Sequence, residues 1–329
     1  MNVHAFRRGV RRLFFGCAVA AMAQPGYGGE GPAADALARL KAHTRMEKVG
    51  VVDAAVVGRR LVAAGERGSL FVSDDGGKSW APRQVPTEKV LTSVTAVDAR
   101  TALATGHGGV LAYSADAGES WQLAAVPAGQ TDALFGVLML DAQNAIAYGA
   151  YASYLVSSDG GRHWQRQQVL PDEVDKHIYG IARSGDVLLL VGEAGLMARS
   201  ADLGKSWQML ASPYQGSLFG IAAVAGGGLV AYGMRGKVYQ SGDQGKTWSE
   251  LASGASSPFY SATALADGAL LLAGKDGMLA RLGREQAALE TRYSPDRRSI
   301  ARVLADAGGE WMLFGQGGVR RVAWNTLSK

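Results

Sequence analysis

Short runs of mainly apolar and β-branched residues, interrupted by Gly, Asp and Ser, fill the chain from residue 46 onward. In one stretch, four such runs occupy residues 93–97, 101–105, 110–114 and 121–126. Short runs of this kind are typical of β-strands, and the polar breaks between them are typical of tight turns. The pattern therefore predicts four consecutive antiparallel strands, a β-meander.

A Gly-x-x-Gly tetrapeptide follows the second strand of each meander and gives the number of repeats. Successive copies lie 41 or 43 residues apart, and the third copy ends in Ala152 instead of Gly. Seven meanders at this period predict an all-β fold, a seven-bladed β-propeller of four-stranded antiparallel blades. The seven copies begin at Gly65, Gly106, Gly149, Gly192, Gly233, Gly274 and Gly315.

A second motif, the octet S-x-D-x-G-x-x-W, lies between the third and fourth strands of five repeats. In the first copy, Asp75 can accept hydrogen bonds within its own turn, Gly77 can adopt a positive φ, and Trp80 can bury about 200 Å². We interpret the octets as structural turns, although a cation site at their Asp residues is an alternative. The defining pairs are Asp75 and Trp80, Asp116 and Trp121, Asp159 and Trp164, Asp202 and Trp207, and Asp243 and Trp248.

The two ends of the chain predict how the ring closes. Only five residues follow Trp324, too few for a turn and a fourth strand in the last blade. Residues 24–32 are rich in Gly and Pro and resemble a linker, and residues around 38–47 fall where the missing strand is needed. We therefore assign residues 24–45 as linker and ring-closing segment and residues 46–329 as the propeller, although 33–43 also has the spacing of a short helix.

The first 23 residues have the features of an export signal. A basic start precedes an apolar core over 13–20, and Ala21 and Ala23 flank a cleavage point before Gln24. Either the general or the twin-arginine route fits, because Arg11-Arg12 is followed by apolar residues. The apolar core is too short to span a membrane. Cleavage there removes Cys17, the only cysteine, and predicts a periplasmic or otherwise exported protein without disulfides.

The net charge of +5 does not indicate a nucleic-acid-binding protein. Four of the 34 basic residues lie in the signal, which leaves 30 basic against 29 acidic residues in the remainder. The sequence contains no zinc-ligand spacing, phosphate loop or Ser-His-Asp elbow, so we predict no metal and no cofactor. We expect a monomer with a protein or peptide partner, such as a loop of a membrane protein.

Candidate binding residues recur where each inner strand begins, on the face opposite the octets. Four aromatic residues stand 13 or 14 positions ahead of their Gly-x-x-Gly, and each precedes a small residue that we expect to expose backbone. They either pack between blades or form a platform for a peptide at one mouth of the central channel. Basic side chains gather on the same face of blades four to seven. The candidate residues are Phe135, Tyr179, Phe219, Tyr260, Lys176, His177, Arg235, Lys275, Arg297 and Arg298.

The octet resembles the Asp box of sialidase-type propellers and their non-enzymatic relatives. Together with the Gly-x-x-Gly that precedes it, the pattern over 46–329 resembles the Asp-box propellers that assist photosystem II assembly, a family with exported bacterial members. The resemblance implies a non-catalytic binding and assembly role and does not carry over a photosynthetic partner. A glycoside hydrolase or carbohydrate-binding propeller is the alternative. Against it, the Arg-Ile-Pro stretch of sialidases is absent, although Tyr and Arg residues are available.

Overall fold

The computed structural model describes residues 45–284, 288–305 and 310–328. The export signal over 1–23, the linker over 24–32 and the short helix expected over 33–43 therefore lie outside the described residues, as does the ring-closing strand expected around 38–47 as far as residue 44. They remain predictions. Within the described residues no helix is long and apolar enough to cross a membrane.

The described residues form seven antiparallel sheets, each with its strands in sequence order. Six sheets have four strands and the seventh has three. The first strands of the seven sheets contact one another in sequence, and the first contacts the last, so the sheets close into a ring. The predicted seven-bladed β-propeller is therefore confirmed, with the first strand of each blade innermost.

Each blade is built from consecutive strands. Blades one to three contain β1 (Val51–Val57), β2 (Arg60–Gly65), β3 (Leu70–Ser73), β4 (Ala81–Arg83); β5 (Leu91–Ala96), β6 (Ala102–Gly106), β7 (Leu111–Ser114), β8 (Gln122–Leu123); and β9 (Leu134–Met139), β10 (Ala145–Gly149), β11 (Tyr154–Ser157), β12 (Gln165–Arg166). Blades four and five contain β13 (Ile178–Ser184), β14 (Val187–Gly192), β15 (Met197–Ser200), β16 (Gln208–Met209); and β17 (Leu218–Ala223), β18 (Leu229–Gly233), β19 (Val238–Ser241), β20 (Ser249–Glu250).

Blades six and seven contain β21 (Phe259–Ala264), β22 (Leu270–Gly274), β23 (Met278–Leu282), β24 (Leu289–Tyr293); and β25 (Ile300–Ala305), β26 (Trp311–Gly315), β27 (Gly318–Val322). Single 3₁₀ turns occur at Met46–Lys48, Glu66–Gly68, His107–Gly109, Glu193–Gly195, Ala225–Gly227, Met234–Gly236, Lys275–Gly277 and Trp324–Thr326. The fourth strands are often shorter than predicted. In blade two, for example, the predicted run over 121–126 is a strand only at Gln122–Leu123.

The hydrophobic core lies between blades rather than within them. The buried apolar side chains of the described residues form seven clusters, and each draws on two neighbouring blades. The second strand of each blade faces a neighbour on both sides, so β14 (VLLLVG) is buried along its whole length. Because both faces are covered, such strands appear in the sequence as continuous apolar runs and not as alternating ones.

The first Gly of each Gly-x-x-Gly allows a close approach of backbone to backbone. A Cβ at this position would lie 2.0 to 2.6 Å from the carbonyl oxygen of the residue just before the inner strand, in all seven repeats. In the first six repeats the next N–H donates to that same carbonyl, at 2.8 to 3.2 Å. The tetrapeptide thus fixes the turn after the second strand against the start of the first strand.

The last blade has three strands among the described residues, as the short C-terminal remainder predicts. Met46, the second residue described, is buried against Phe314 and Val319 of this blade. A Cβ on Gly318 would lie 2.8 Å from the Met46 carbonyl oxygen. The chain from residue 45 thus enters beside β27. The last residues of the strand predicted around 38–47 lie in a 3₁₀ turn (Met46–Lys48) and not in a strand, and the rest of that predicted strand lies outside the described residues.

Candidate functional site

A β-bulge at the start of every inner strand sets the direction of one side chain per blade. The pairing register shifts at this point in all seven blades, leaving one residue of the inner strand unpaired. Bulges re-aim side chains and are common beside functional sites. The bulge residues are Val52, Thr92, Phe135, Tyr179, Phe219, Tyr260 and Ala301.

The four aromatic candidates are thus the bulge residues of blades three to six. Ring centroids are 5.7 Å apart for Phe135 and Tyr179, 5.4 Å for Tyr179 and Phe219, and 6.2 Å for Phe219 and Tyr260. Tyr260 is 40% exposed and the other three are partly exposed. The four rings therefore form one continuous partly exposed strip, here called the aromatic arc, and not four separate packing residues between blades.

The small residues after the aromatic residues do not expose backbone, so that expectation is wrong. Gly136, Gly180, Gly220 and Ser261 are buried. A Cβ on Gly136 would lie 2.5 Å from the Tyr148 hydroxyl oxygen, and one on Gly220 would lie 2.3 Å from that of Tyr232. Gly136 and Gly220 therefore leave space for the side chains of Tyr148 and Tyr232, which lie opposite them on the second strands.

His177 and Tyr151 extend the aromatic arc at its blade-three end. The ring of His177 is 5.9 Å from Phe135, 5.9 Å from Tyr179 and 4.9 Å from Tyr151. Tyr151 is 54% exposed and has φ 51° in the Gly-x-x-Gly turn of blade three. The sequence analysis predicted His177 but missed Tyr151. The available signal was that Tyr151 lies in the third Gly-x-x-Gly turn, the one turn that ends in Ala152 instead of Gly.

The basic candidates lie around the same face, with different partners. Lys176 donates from Nζ to the Ala194 carbonyl at 2.9 Å. Arg235 and Lys275 are exposed in the Gly-x-x-Gly turns of blades five and six. Arg297 lies over the ring of Tyr293, with the guanidinium carbon 4.1 Å from the centroid, and Arg298 is 3.9 Å from Asp296. Arg235 and Lys275 therefore present exposed positive charge in the turns of the two blades that carry Phe219 and Tyr260.

The opposite side of the channel carries a charged pair that sequence reasoning missed. Asp53 accepts hydrogen bonds from the Ser93 hydroxyl at 2.8 Å and from the Val94 N–H at 2.9 Å. Its carboxylate is also 3.5 Å from Nε of Arg302 on the neighbouring blade. Asp53 and Arg302 are each a single charged residue in a mainly apolar strand, and no repeat spacing links them in the sequence. They meet because closure of the ring places blade one beside blade seven.

The tyrosines of the arc remain protonated phenols at neutral pH. Burial, followed by the negative charge of Glu193, raises the pKa of Tyr179. Burial and Asp276 raise the pKa of Tyr260 in the same way. The environment of these rings suits contact and hydrogen-bond donation.

The five octets adopt the predicted structural turn, at the other end of the blades. In the first, Asp75 accepts from the Ser79 hydroxyl at 2.6 Å, the Ser79 N–H at 2.9 Å and the Ser73 hydroxyl at 2.8 Å, and these bonds hold its pKa below the usual range. In four octets the Trp indole N–H donates to the octet Gly carbonyl, as Trp164 does to Gly161 at 2.9 Å. In the fourth octet Tyr154 donates to that carbonyl instead.

The octet carboxylates are therefore occupied by their own turns. Across the described residues no cluster of three or more His, Cys, Asp or Glu side chains is arranged to hold a metal ion. Each octet also contacts the preceding blade: a Cβ on Gly161 would lie 2.5 Å from Leu103. The octets join blades and lie away from the arc.

Comparison with known proteins agrees with this geometry. The family model described as "Photosynthesis system II assembly factor YCF48" matches residues 124–319, and that of the "BNR/Asp-box repeat" matches residues 71–82. A search of curated proteins found no match.

The solved structures that share the fold include the following three. One is YCF48 bound to D1 peptide, with 18% identity, TM-score 0.68 and coverage of 84% of this chain and 94% of that one. YCF48 from Cyanidioschyzon merolae has 14% identity, TM-score 0.64 and coverages of 83% and 94%. The WD40 β-propeller domain of Doa1 has 15% identity, TM-score 0.66 and coverages of 83% and 92%. Since the family match spans more than half of the 329 residues, this chain belongs to the family of the photosystem II assembly factor YCF48.

Proposed function

We propose that this protein is a non-catalytic, exported assembly factor that holds a peptide segment of a protein partner on the aromatic arc. The observation that carries the proposal is the unbroken contact of four partly exposed rings across blades three to six. Rigid aromatic side chains give large contact area at a low cost in conformational entropy, and they dominate the binding energy of protein interfaces.

Family membership supports a binding role, because one structure with the same fold is described as YCF48 bound to D1 peptide. The partner here is proposed as a segment of a membrane complex, without a claim that it is a photosynthetic one. The turns beside the arc carry both signs of charge, because Arg235 and Lys275 lie in the turns of blades five and six and the carboxylates of Glu193 and Asp276 act on Tyr179 and Tyr260.

A binding role is favoured over sialidase-type hydrolysis because the Arg-Ile-Pro stretch of sialidases is absent from the sequence. Turnover of a sialoside by the purified protein, lost in Tyr179→Phe, would contradict the non-catalytic proposal.

Export is proposed from the basic and apolar character of residues 1–23. Mass spectrometry of the protein recovered from cells tests it. A mature chain that begins at Gln24 in the periplasmic fraction supports export, and an uncleaved chain in the cytoplasm contradicts it.

Affinity purification from cells tests the surface itself. Wild type and the double variant Tyr179→Ala/Phe219→Ala are compared, with Leu203→Ala as the matched control, because Leu203 is an exposed apolar residue (39%) of the fourth octet, on the other face. Loss of two central rings should weaken capture of the partner at least about tenfold, whereas Leu203→Ala should capture as wild type does. Equal recovery with all three proteins, each shown to be folded by circular dichroism, would refute the assignment of this surface.

A further inference from the structure

The aromatic arc combines ring faces with two hydroxyl donors. Phe and Tyr alternate along it, so Tyr179 and Tyr260 carry a hydroxyl and Phe135 and Phe219 do not. No hydrogen bond joins the hydroxyl of Tyr179 or Tyr260 to a residue that the structure describes. Both phenols keep their proton at neutral pH, because burial and a neighbouring carboxylate raise their pKa. The arc therefore offers a ligand apolar faces and two unpaired O–H donors.

The carboxylates beside the arc accept hydrogen bonds from their own surroundings. Oε2 of Glu193 accepts the His177 backbone N–H at 3.1 Å, and Oδ2 of Asp276 accepts the Ser257 hydroxyl at 2.7 Å. The four rings themselves bring no carboxylate or amide side chain. The surface of the arc thus suits a ligand that is rich in acceptors and poor in donors.

Peptide conformations differ in the backbone groups that they present. A helix bonds its carbonyls internally, so it would cover the two tyrosine hydroxyls without giving them an acceptor. An extended strand presents N–H groups as well as carbonyls along its edges, and those N–H groups need acceptors. A polyproline II segment has no internal hydrogen bonds, and each Pro in it has a carbonyl but no N–H. A proline-rich segment therefore matches the donors of the arc best.

The size and charge of the arc fit the same class of ligand. Its ring-to-ring steps of 5.7, 5.4 and 6.2 Å correspond to about six residues of a polyproline II segment, which rises about 3.1 Å per residue. Such a segment is already extended before it binds, so it loses little conformational entropy on an aromatic surface. The mixed charges of the surrounding turns do not demand a charged ligand.

We infer that the peptide held on the aromatic arc is a proline-rich segment in the polyproline II conformation. Its pyrrolidine rings pack on the four aromatic rings, and its carbonyls accept from the hydroxyls of Tyr179 and Tyr260. This class of peptide rests on the proposed function, because it concerns the same surface. It gives the two tyrosines a role that phenylalanine cannot fill.

Selection of random peptides displayed on phage tests the class of peptide. Peptides are selected on wild type, and those that also bind Tyr179→Ala/Phe219→Ala are removed, after circular dichroism has shown that both proteins are folded. Pro should be enriched about threefold or more over the unselected library. Arc-dependent peptides without enriched Pro would overturn the inferred class and leave the proposed function standing. If no arc-dependent peptide is obtained, or if the arc binds an oligosaccharide such as cellohexaose instead, both fail.

Calorimetric titration with decaproline separates the hydroxyls from the rings. Tyr179→Phe/Tyr260→Phe keeps all four rings, removes both donors and should weaken binding about tenfold. Tyr113→Phe is the matched control, because Tyr113 is a partly exposed tyrosine of blade two whose hydroxyl donates to Gln122 at 2.9 Å; it should bind as wild type does. Equal affinity of wild type and the double Phe variant would overturn the role of the hydroxyls. A Gly-Ser peptide of the same length that binds as tightly as decaproline, or decaproline that does not bind wild type, would overturn the proline-rich class.

Discussion

Substitution of Gly192 by Ala tests whether close backbone approach is the reason for the first Gly of the repeat. Gly192 has an extended backbone (φ −168°), so an Ala is not disfavoured by the dihedral angles. Its Cβ would lie 2.1 Å from the His177 carbonyl oxygen and 2.9 Å from Leu196 Cδ2. The first obstacle is backbone and cannot move by a change of rotamer.

The expected loss of stability follows from these contacts. Overpacking against rigid atoms typically costs 1 to 3 kcal/mol, and the upper end, about 3 kcal/mol, applies to backbone. Displacing the His177 carbonyl also weakens its 3.0 Å hydrogen bond from the Glu193 N–H, which adds about 1 kcal/mol. We therefore expect Gly192→Ala to lower the free energy of unfolding by about 3 to 4 kcal/mol.

Equilibrium unfolding in guanidinium chloride, followed by circular dichroism, measures this loss. Gly242→Ala is the matched control, because a Cβ on Gly242 would meet no atom of the described residues within 4 Å and its φ is not positive. That variant should be unchanged or more stable by about 0.4 to 1 kcal/mol, through the reduced entropy of the unfolded chain. A Gly192→Ala protein within about 0.5 kcal/mol of wild type would refute the reasoning.

Three further predictions follow from the cores, the octets and the ring closure. Trp164→Ala should lower the free energy of unfolding by about 3 to 5 kcal/mol in the same assay, because the side chain is 4% exposed between blades two and three; an unchanged midpoint would contradict that role. Partial burial disfavours the Asp159 carboxylate, but hydrogen bonds from His163 and Ser157 lower its pKa to about 2. Its stabilising effect is therefore complete above about pH 4 and is lost as the pH falls towards 2, so the stability gap between wild type and Asp159→Asn should narrow between pH 5 and pH 2; a constant gap would contradict this. Deletion of residues 24–44 should lower the melting temperature sharply if they complete blade seven, and an unchanged melting temperature would reject the closure.

The fold could be predicted from the sequence because the repeat acts through local constraints. Gly192 and its equivalents must approach a carbonyl, and Asp75 and its equivalents must cap their own turn, so these residues recur whatever surrounds them. The arc was found for the same reason, since the aromatic bulge residues lie 13 or 14 positions ahead of the tetrapeptide in each of their four repeats.

The rest of the site depends on contacts between residues far apart in the chain. Asp53 and Arg302 meet only because blade one adjoins blade seven, and Tyr151 meets His177 across a blade boundary. The sequence did not show why Gly136 and Gly220 are glycines. The side chains of Tyr148 and Tyr232 occupy the space that a Cβ would need, and each tyrosine lies 12 residues after its glycine, on the next strand. The contacts of Asp53 with Arg302 and of Tyr151 with His177 leave no periodic trace in the sequence.

The uneven set of bulge residues has a consequence for how a ligand is oriented. Seven identical residues around the channel would offer a ligand seven equivalent registers, a statistical advantage of about 1.1 kcal/mol in binding but no defined direction. Aromatic rings at four neighbouring positions and Val52, Thr92 and Ala301 at the other three remove this degeneracy. A segment that binds through the rings is held in a single register, so the chain on either side of it leaves the surface in a fixed direction.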